Sequence, residues 1–136
     1  MTAFPGLSII IPVYNEENGL SQTVREIENI LDSEAFRSYA FNVEVIFVND
    51  GSGKATVDIL KAIRHPAIAV VHHETNKGYG AALKSGIRHA AHGMVAITDA
   101  DGTYPNDRIP ELFQVMKERN LDMVVGSRAG NQANIP

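Results

Sequence analysis

Two carboxylates two residues apart, Asp99 and Asp101, close the stretch Met94–Pro105, in which a short apolar run gives way to acids, Gly102 and Pro105. An apolar run of that length bounded by turn residues reads as a buried strand. Residues i and i+2 of a strand share a side, so both acids project together where the strand leaves its sheet. Like charges that close are costly unless a cation or a proton lies between them. A hard divalent cation bridging to a phosphate is the natural occupant, since it takes carboxylate and phosphate oxygens together. A pair of solvated turn acids is the other reading, because Asp, Gly and Pro are common in turns. Taken alone, these residues leave both open.

The elements that must position these acids follow from the apolar pattern. Leu7–Val13 is a continuous, mostly β-branched run and fits a strand buried on both faces, with Pro12 near its end. Leu20, Val24, Ile27 and Leu31 recur at helical spacing and predict a first helix over residues 16–32. After a loop, Val43–Val48 reads as a second strand that ends in a turn at Asn49–Gly53. Val57, Leu60 and Ile63 mark a second helix stopped by Pro66, and Ala67–Val71 a third strand. Tyr79, Leu83, Ile87 and Ala90 mark a third helix, with Gly86 packed close to a neighbour and Gly93 as its end. Beyond the fourth strand, Asp107 can cap a helix carrying Ile109, Leu112, Phe113 and Met116, and Asp122–Val125 reads as a fifth strand. Ala129–Pro136 reads as a tail.

Alternating strands and helices predict the α/β class, a mostly parallel sheet with helices on both faces. Ligands of such sheets sit at the carboxyl ends of the strands. The polar clusters Tyr14–Glu17, Asn49–Ser52, Asn76–Gly80, Asp99–Asp101 and Gly126–Arg128 all fall at that rim. Any one of them could be a surface turn, but five on one rim argue for a site.

In this order the motifs resemble a known family. Ile11-Pro12-Val13-Tyr14-Asn15-Glu16-Glu17, Val48-Asn49-Asp50-Gly51-Ser52, Asn76-Lys77-Gly78-Tyr79-Gly80-Ala81-Ala82 and Asp99-Ala100-Asp101 look like the inverting family 2 glycosyltransferases with the GT-A fold. The run Asp99–Pro105 is most similar to the branch of dolichyl-phosphate mannose synthases and polyprenyl-phosphate glycosyltransferases. The resemblance implies a nucleotide-sugar-binding domain over residues 1–128, with 129–136 as the tail. By position, it places Pro12, Tyr14 and Glu16 at the base and ribose, and Asp50 as acceptor of a ring N–H of the base. Lys77 falls near the diphosphate, and Gly78 and Gly80 let backbone and helix N-terminus approach the donor. Asp99 and Asp101 would be the catalytic acids that hold Mg2+ or Mn2+ on the diphosphate. Arg128 would face the phosphate of a lipid acceptor or of the donor. Thr103 stands where some members carry a third metal-side ligand. Asn49 departs from the Asp common at its position, which leaves Asp50 as the better-supported contact.

The implied partners are a UDP- or GDP-sugar and a polyprenyl-phosphate acceptor, and a homo-oligomer is compatible with the sequence. Members of the family continue past the fifth strand into an acceptor-binding half, so the chain reads as the nucleotide-binding half, expected to bind donor and metal but to turn over poorly. The implied place of action is the cytoplasm, at the cytoplasmic face of a membrane for a full-length protein. Two local matches compete. Asp99-Ala100-Asp101-Gly102-Thr103 resembles the nucleophile run of haloacid dehalogenase phosphatases, but those enzymes spread a Lys and further acids over a long downstream stretch. Gly78-Tyr79-Gly80 is a partial dinucleotide fingerprint with Leu83 at its third glycine position.

Composition narrows the classes further. A chain of 136 residues, 44% hydrophobic and 21% charged, can fill one domain core. Its net charge of −4 with no basic block offers no electrostatic grip on nucleic acid. The absence of cysteine excludes disulfides and thiolate chemistry. The histidines read as solvated: His72-His73 begins a loop, and His89 and His92 lie i, i+3 on the third helix without further ligands for a zinc site.

Overall fold

The computed structural model describes residues 6–34, 42–100, 109 and 111. Four strands, β1 (Leu7–Val13), β2 (Val43–Asp50), β3 (Ile68–His73) and β4 (Met94–Ile97), form one sheet in the order β3-β2-β1-β4. All three pairings are parallel. The connecting helices are α1 (Leu20–Leu31), α2 (Lys54–Lys61) and α3 (Tyr79–His89).

The period of two along the central strands decides which helix lies where. Leu7, Ile9, Ile11 and Val13 of β1 join Val45 and Phe47 of β2 in a core with Leu20, Val24, Ile27 and Ile30 of α1 and Leu60 of α2. Ile10, Ile46 and Val48 point the other way and pack with Ala82 of α3. Helices therefore cover both faces, as the unbroken apolar runs require. Gly86 marks a close approach of α3 to the sheet: a Cβ there would run into Ile10 Cγ2 and crowd Val48 Cγ2. The fold class and the packed Gly86 agree with the sequence reading.

The boundaries differ in an instructive way. β2 does not end at Val48: Asn49 and Asp50 continue the strand and are buried. β3 likewise runs on through His72 and His73. These polar pairs are register partners, Asn49 with His72 and Asp50 with His73. Their side chains bond to each other, so the ladder extends over residues that composition assigns to turns. α1 begins at Leu20, not at residue 16, because Glu16–Gly19 forms a turn in which the Glu16 carbonyl accepts the Gly19 and Leu20 amides. α2 stops at Lys61, so Ile63 packs from beyond the helix. α3 stops at His89, before Gly93, and His92 is off the helix. The predicted fourth helix and fifth strand lie outside the described residues, except that Ile109 is helical and buried.

Candidate functional site

The strand order places a reversal beside β1. The chain steps from β1 to β2 to β3 on one side, then crosses under α3 to β4 on the other. At such a switch point the connections diverge and leave a crevice at the carboxyl ends of the strands. A cleft of about 410 Å³ lies there. Pro12, Val13, Tyr14 and Glu16 line it from the end of β1, Asp50 from β2, Asn76, Gly78, Tyr79 and Ala82 from the start of α3, and Asp99 and Ala100 from beyond β4. Tyr14 and Tyr79 are exposed at its mouth.

Local bonds hold this rim. Asn15 adopts a left-handed φ of 51°. Its Oδ1 accepts the Gly53 amide at 2.8 Å, and its own amide donates to Ser52 Oγ at 3.0 Å. The Ser52 amide in turn donates to Asn49 Oδ1 at 3.0 Å. Gly51, at φ +75°, lets the chain turn where a Cβ would strike the Asn76 backbone. On the β4 side, buried Thr23 of α1 donates its hydroxyl to the Ala100 carbonyl at 3.0 Å. The Thr98 amide pairs with the Ile10 carbonyl at 3.1 Å. Asp99 is thus set between two anchored neighbours.

Asp50 is the most densely bonded group of the site. Its side chain is 5% exposed. Oδ1 accepts His73 Nδ1–H at 2.8 Å and the Lys77 amide at 2.8 Å, and Oδ2 accepts the Gly78 amide at 2.9 Å. Burial pushes the Asp50 pKa up; the His73 hydrogen bond, the Lys77 and Gly78 amides and the His73 charge outweigh it and hold the group below the ordinary 3.8. The carboxylate is ionised at neutral pH and can only accept, which puts the proton of the pair on His73 Nδ1.

The cleft gathers Pro12, Tyr14, Glu16, Asp50, Gly78 and Asp99 of the residues singled out from the sequence. Lys77 meets Asp50 through its backbone, and its side chain is not among the cleft-lining groups. Asp101, Thr103 and Arg128 lie outside the described residues. The reading of His72-His73 as a solvated loop start is corrected: both are in β3, and the His73 side chain is 7% exposed between Asp50 and Ser85. His72 is exposed, yet its Nδ1 accepts from Asn49 Nδ2 at 2.9 Å. The signal for this pairing was in the sequence, two polar residues ending each of two successive strands, but only the register reveals it.

Among the described residues no three His, Asp or Glu side chains converge as a metal cage. Asp99 brings a hard carboxylate oxygen to the cleft, a donor suited to Mg2+ or Mn2+, which complete their shells with water and substrate phosphate. No described helix is long and apolar enough to cross a membrane.

Residues 8–135 match the sequence profile of Glycosyl transferase family 2. A dolichyl-phosphate beta-glucosyltransferase of Trichomonas vaginalis is 35% identical over 132 residues, 93% of this chain and 41% of the relative. A prophage bactoprenol glucosyl transferase homolog of Escherichia coli is 33% identical over 128 residues, 90% of this chain and 39% of the relative. The chain thus spans about two fifths of the length of these relatives. Among solved structures, a mannosyltransferase from Pyrobaculum calidifontis in complex with GDP-Man and Mn2+ superposes with a TM-score of 0.64 at 29% identity, over 85% of this chain and 33% of that one. S. aureus TarS 1-349 in complex with UDP shares the fold, with a TM-score of 0.72 at 21% identity over 96% of this chain and 38% of that one.

Proposed function

The chain belongs to glycosyl transferase family 2 and carries its GT-A fold, and on that premise we propose that it binds a nucleotide-diphospho-sugar in the cleft beside β1, as the donor half of a transfer to a polyprenyl phosphate. The observation that carries this reading is the meeting of Tyr14, Glu16, Asp50, Gly78 and Asp99 around one crevice at the switch point of the sheet. In the proposal residues 1–128 form the donor-binding domain, followed by a tail at 129–136. The base and ribose lie against Pro12, Tyr14 and Glu16, and a ring N–H of the base donates to Asp50. Gly78 at the start of α3, whose φ is +101°, lets the backbone come close to the diphosphate. Lys77 lies near the same phosphates, and Arg128 meets the acceptor or donor phosphate.

Asp99 and Asp101 would hold Mg2+ or Mn2+ at the donor, where the ion would supply Lewis-acid stabilisation of the negative charge that grows on the leaving diphosphate. The protein orients the donor so that the acceptor attacks the face of the sugar opposite the leaving group, which inverts the anomeric carbon. An acceptor that is already a phosphate anion needs little help from a general base. The relatives' names support this acceptor class, since they carry dolichyl phosphate and bactoprenol.

Calorimetry with UDP-glucose and GDP-mannose, each with and without MnCl2, tests the reading. One donor should bind with metal, and Asp99→Asn should weaken that binding by about 100-fold, the scale expected for losing a charged metal contact. Donor binding indifferent to both metal and Asp99 would overturn it.

A further inference from the structure

The donor reading leaves a buried chain of polar groups unexplained. His73 ties Asp50 to α3: Nδ1–H donates to Asp50 Oδ1 at 2.8 Å, and Nε2 lies 2.7 Å from Ser85 Oγ. The imidazole is 7% exposed. Asp, His and Ser in this order resemble a nucleophilic triad, but Ser85 sits inside α3 and neither it nor His73 lines the cleft. Only Asp50 does. Whatever the chain does, it does through Asp50.

We infer that His73, backed by Ser85, is a positioning residue that turns the Asp50 carboxylate toward the base of the nucleotide. This rests on the donor reading above and assigns to it residues that the motif comparison leaves out. A carboxylate has about four acceptor positions. Among the described residues the His73 ring and the Lys77 amide fill Oδ1, whereas Oδ2 takes the Gly78 amide alone. The remaining position is on Oδ2, so an N–H donor in the cleft is the complement of what the protein leaves open. The two amides belong to the short segment before α3. Among the described residues the imidazole is the one side-chain donor on Asp50, and it reaches across from the neighbouring strand. Without it the carboxylate could rotate, and Oδ2 would lose its aim. Ser85 fixes the ring from the far side: its Oγ lies 2.7 Å from Nε2 and, as a hydroxyl, can either donate to that nitrogen or accept from it. The register that sets Asp50 beside His73 makes this geometry a property of the sheet.

Asn and Gln at position 73 separate positioning from packing. An Asn amide nitrogen stands where Nδ1 stands and can still donate to Asp50. A Gln amide reaches only as far as Nε2 and can keep Ser85 but not Asp50. Affinity for UDP and GDP with MnCl2 is measured calorimetrically on the 136-residue chain and on both variants, alongside unfolding midpoints. His73→Gln should bind at least about tenfold more weakly, and His73→Asn within about threefold of the parent, even where their midpoints fall equally. Equal affinity of the Gln variant and the parent, or equal losses in both variants, would overturn the inference. If His73→Gln does not fold, Ser85→Ala decides: about threefold weaker binding is expected, and parental affinity overturns it. A parent chain that binds neither nucleotide would sink the donor reading itself, an outcome distinct from a parent that binds and a Gln variant that binds equally.

Discussion

Strand β2 carries a carboxylate near each end, both on the face that packs against α3, and the two are used differently. Glu44 lies at the amino end. Its Oε2 accepts Ser8 Oγ–H at 2.6 Å and the Ala91 amide, just beyond the end of α3. Asp50 lies six residues on, about 20 Å away along the strand. It holds the segment that leads into α3 through the Lys77 and Gly78 amides. Each acid pins one end of the same helix. Glu44 is half-buried, with water at hand to replace a lost partner, and it is remote from the cleft. Asp50 is buried, bonded on both oxygens and part of the cleft wall. The same local device is structural at one end and, in our reading, a recognition element at the other.

The comparison breaks most visibly under isosteric substitution. Asp50→Asn turns an amide N–H2 toward the N–H donors of His73, Lys77 or Gly78 at a side chain that is almost wholly buried. A loss of about 3 kcal/mol is expected, since a buried donor left without an acceptor costs its full desolvation. Nucleotide binding should fall with it. Glu44→Gln keeps an acceptor oxygen in a site open to solvent and should cost about 1 kcal/mol or less, with binding unchanged. Urea denaturation and calorimetry on the two variants check both halves. Equal losses of stability would erase the distinction between the two ends.

Acid sharpens the same contrast. The folded-state pKa of Asp50 lies below its unfolded value of 3.8. Its contribution is therefore fully present above that value and is lost as pH falls from there through the lower, folded pKa, where the unfolded chain binds a proton and the native chain does not. The urea midpoint should drop on acidification from about pH 5 to about pH 3, and the drop should be shallower in Asp50→Asn. An unchanged slope in that variant would mean that other carboxylates carry the acid limb.

Much of this arrangement was legible in the chain. β1 was found at its observed bounds, Leu7–Val13, because an unbroken β-branched run has a single reading between Gly6 and the polar turn at Tyr14. The rim clusters that begin at Tyr14, Asn49, Asn76 and Asp99 were legible because a parallel sheet brings the carboxyl ends of its strands to one side; Gly126–Arg128 lies outside the described residues. The polar ends of β2 and β3 were not. Asn49, Asp50, His72 and His73 have the composition of turns, and only their lateral pairing makes them strand. Pairing between strands more than twenty positions apart leaves no periodicity in either one. The place of His73 is hidden for the same reason: a histidine pair after an apolar run reads as solvated until its neighbours across the ladder are known. The bond between Ser8 and Glu44, 36 residues apart, leaves no trace in the sequence on the same ground.

A small effect is also expected at Ser8, and it tests whether the amino end is only structural. Ser8 is fully buried, and its hydroxyl donates to Glu44 and accepts the His92 amide at 3.3 Å. Ser8→Ala removes one acceptor and one donor at once but leaves Glu44 its bond from the Ala91 amide. Glu44 can take a water in place of the hydroxyl, and the His92 bond is already long. The cost should therefore be about 1 kcal/mol, near the net worth of a single hydrogen bond. Affinity for nucleotide should stay within about twofold, because distant sites that share no partner act independently. A clear loss of binding in Ser8→Ala would show that pinning the far end of α3 reaches the Gly78 end. The two carboxylates of β2 would then act as one clamp on the helix.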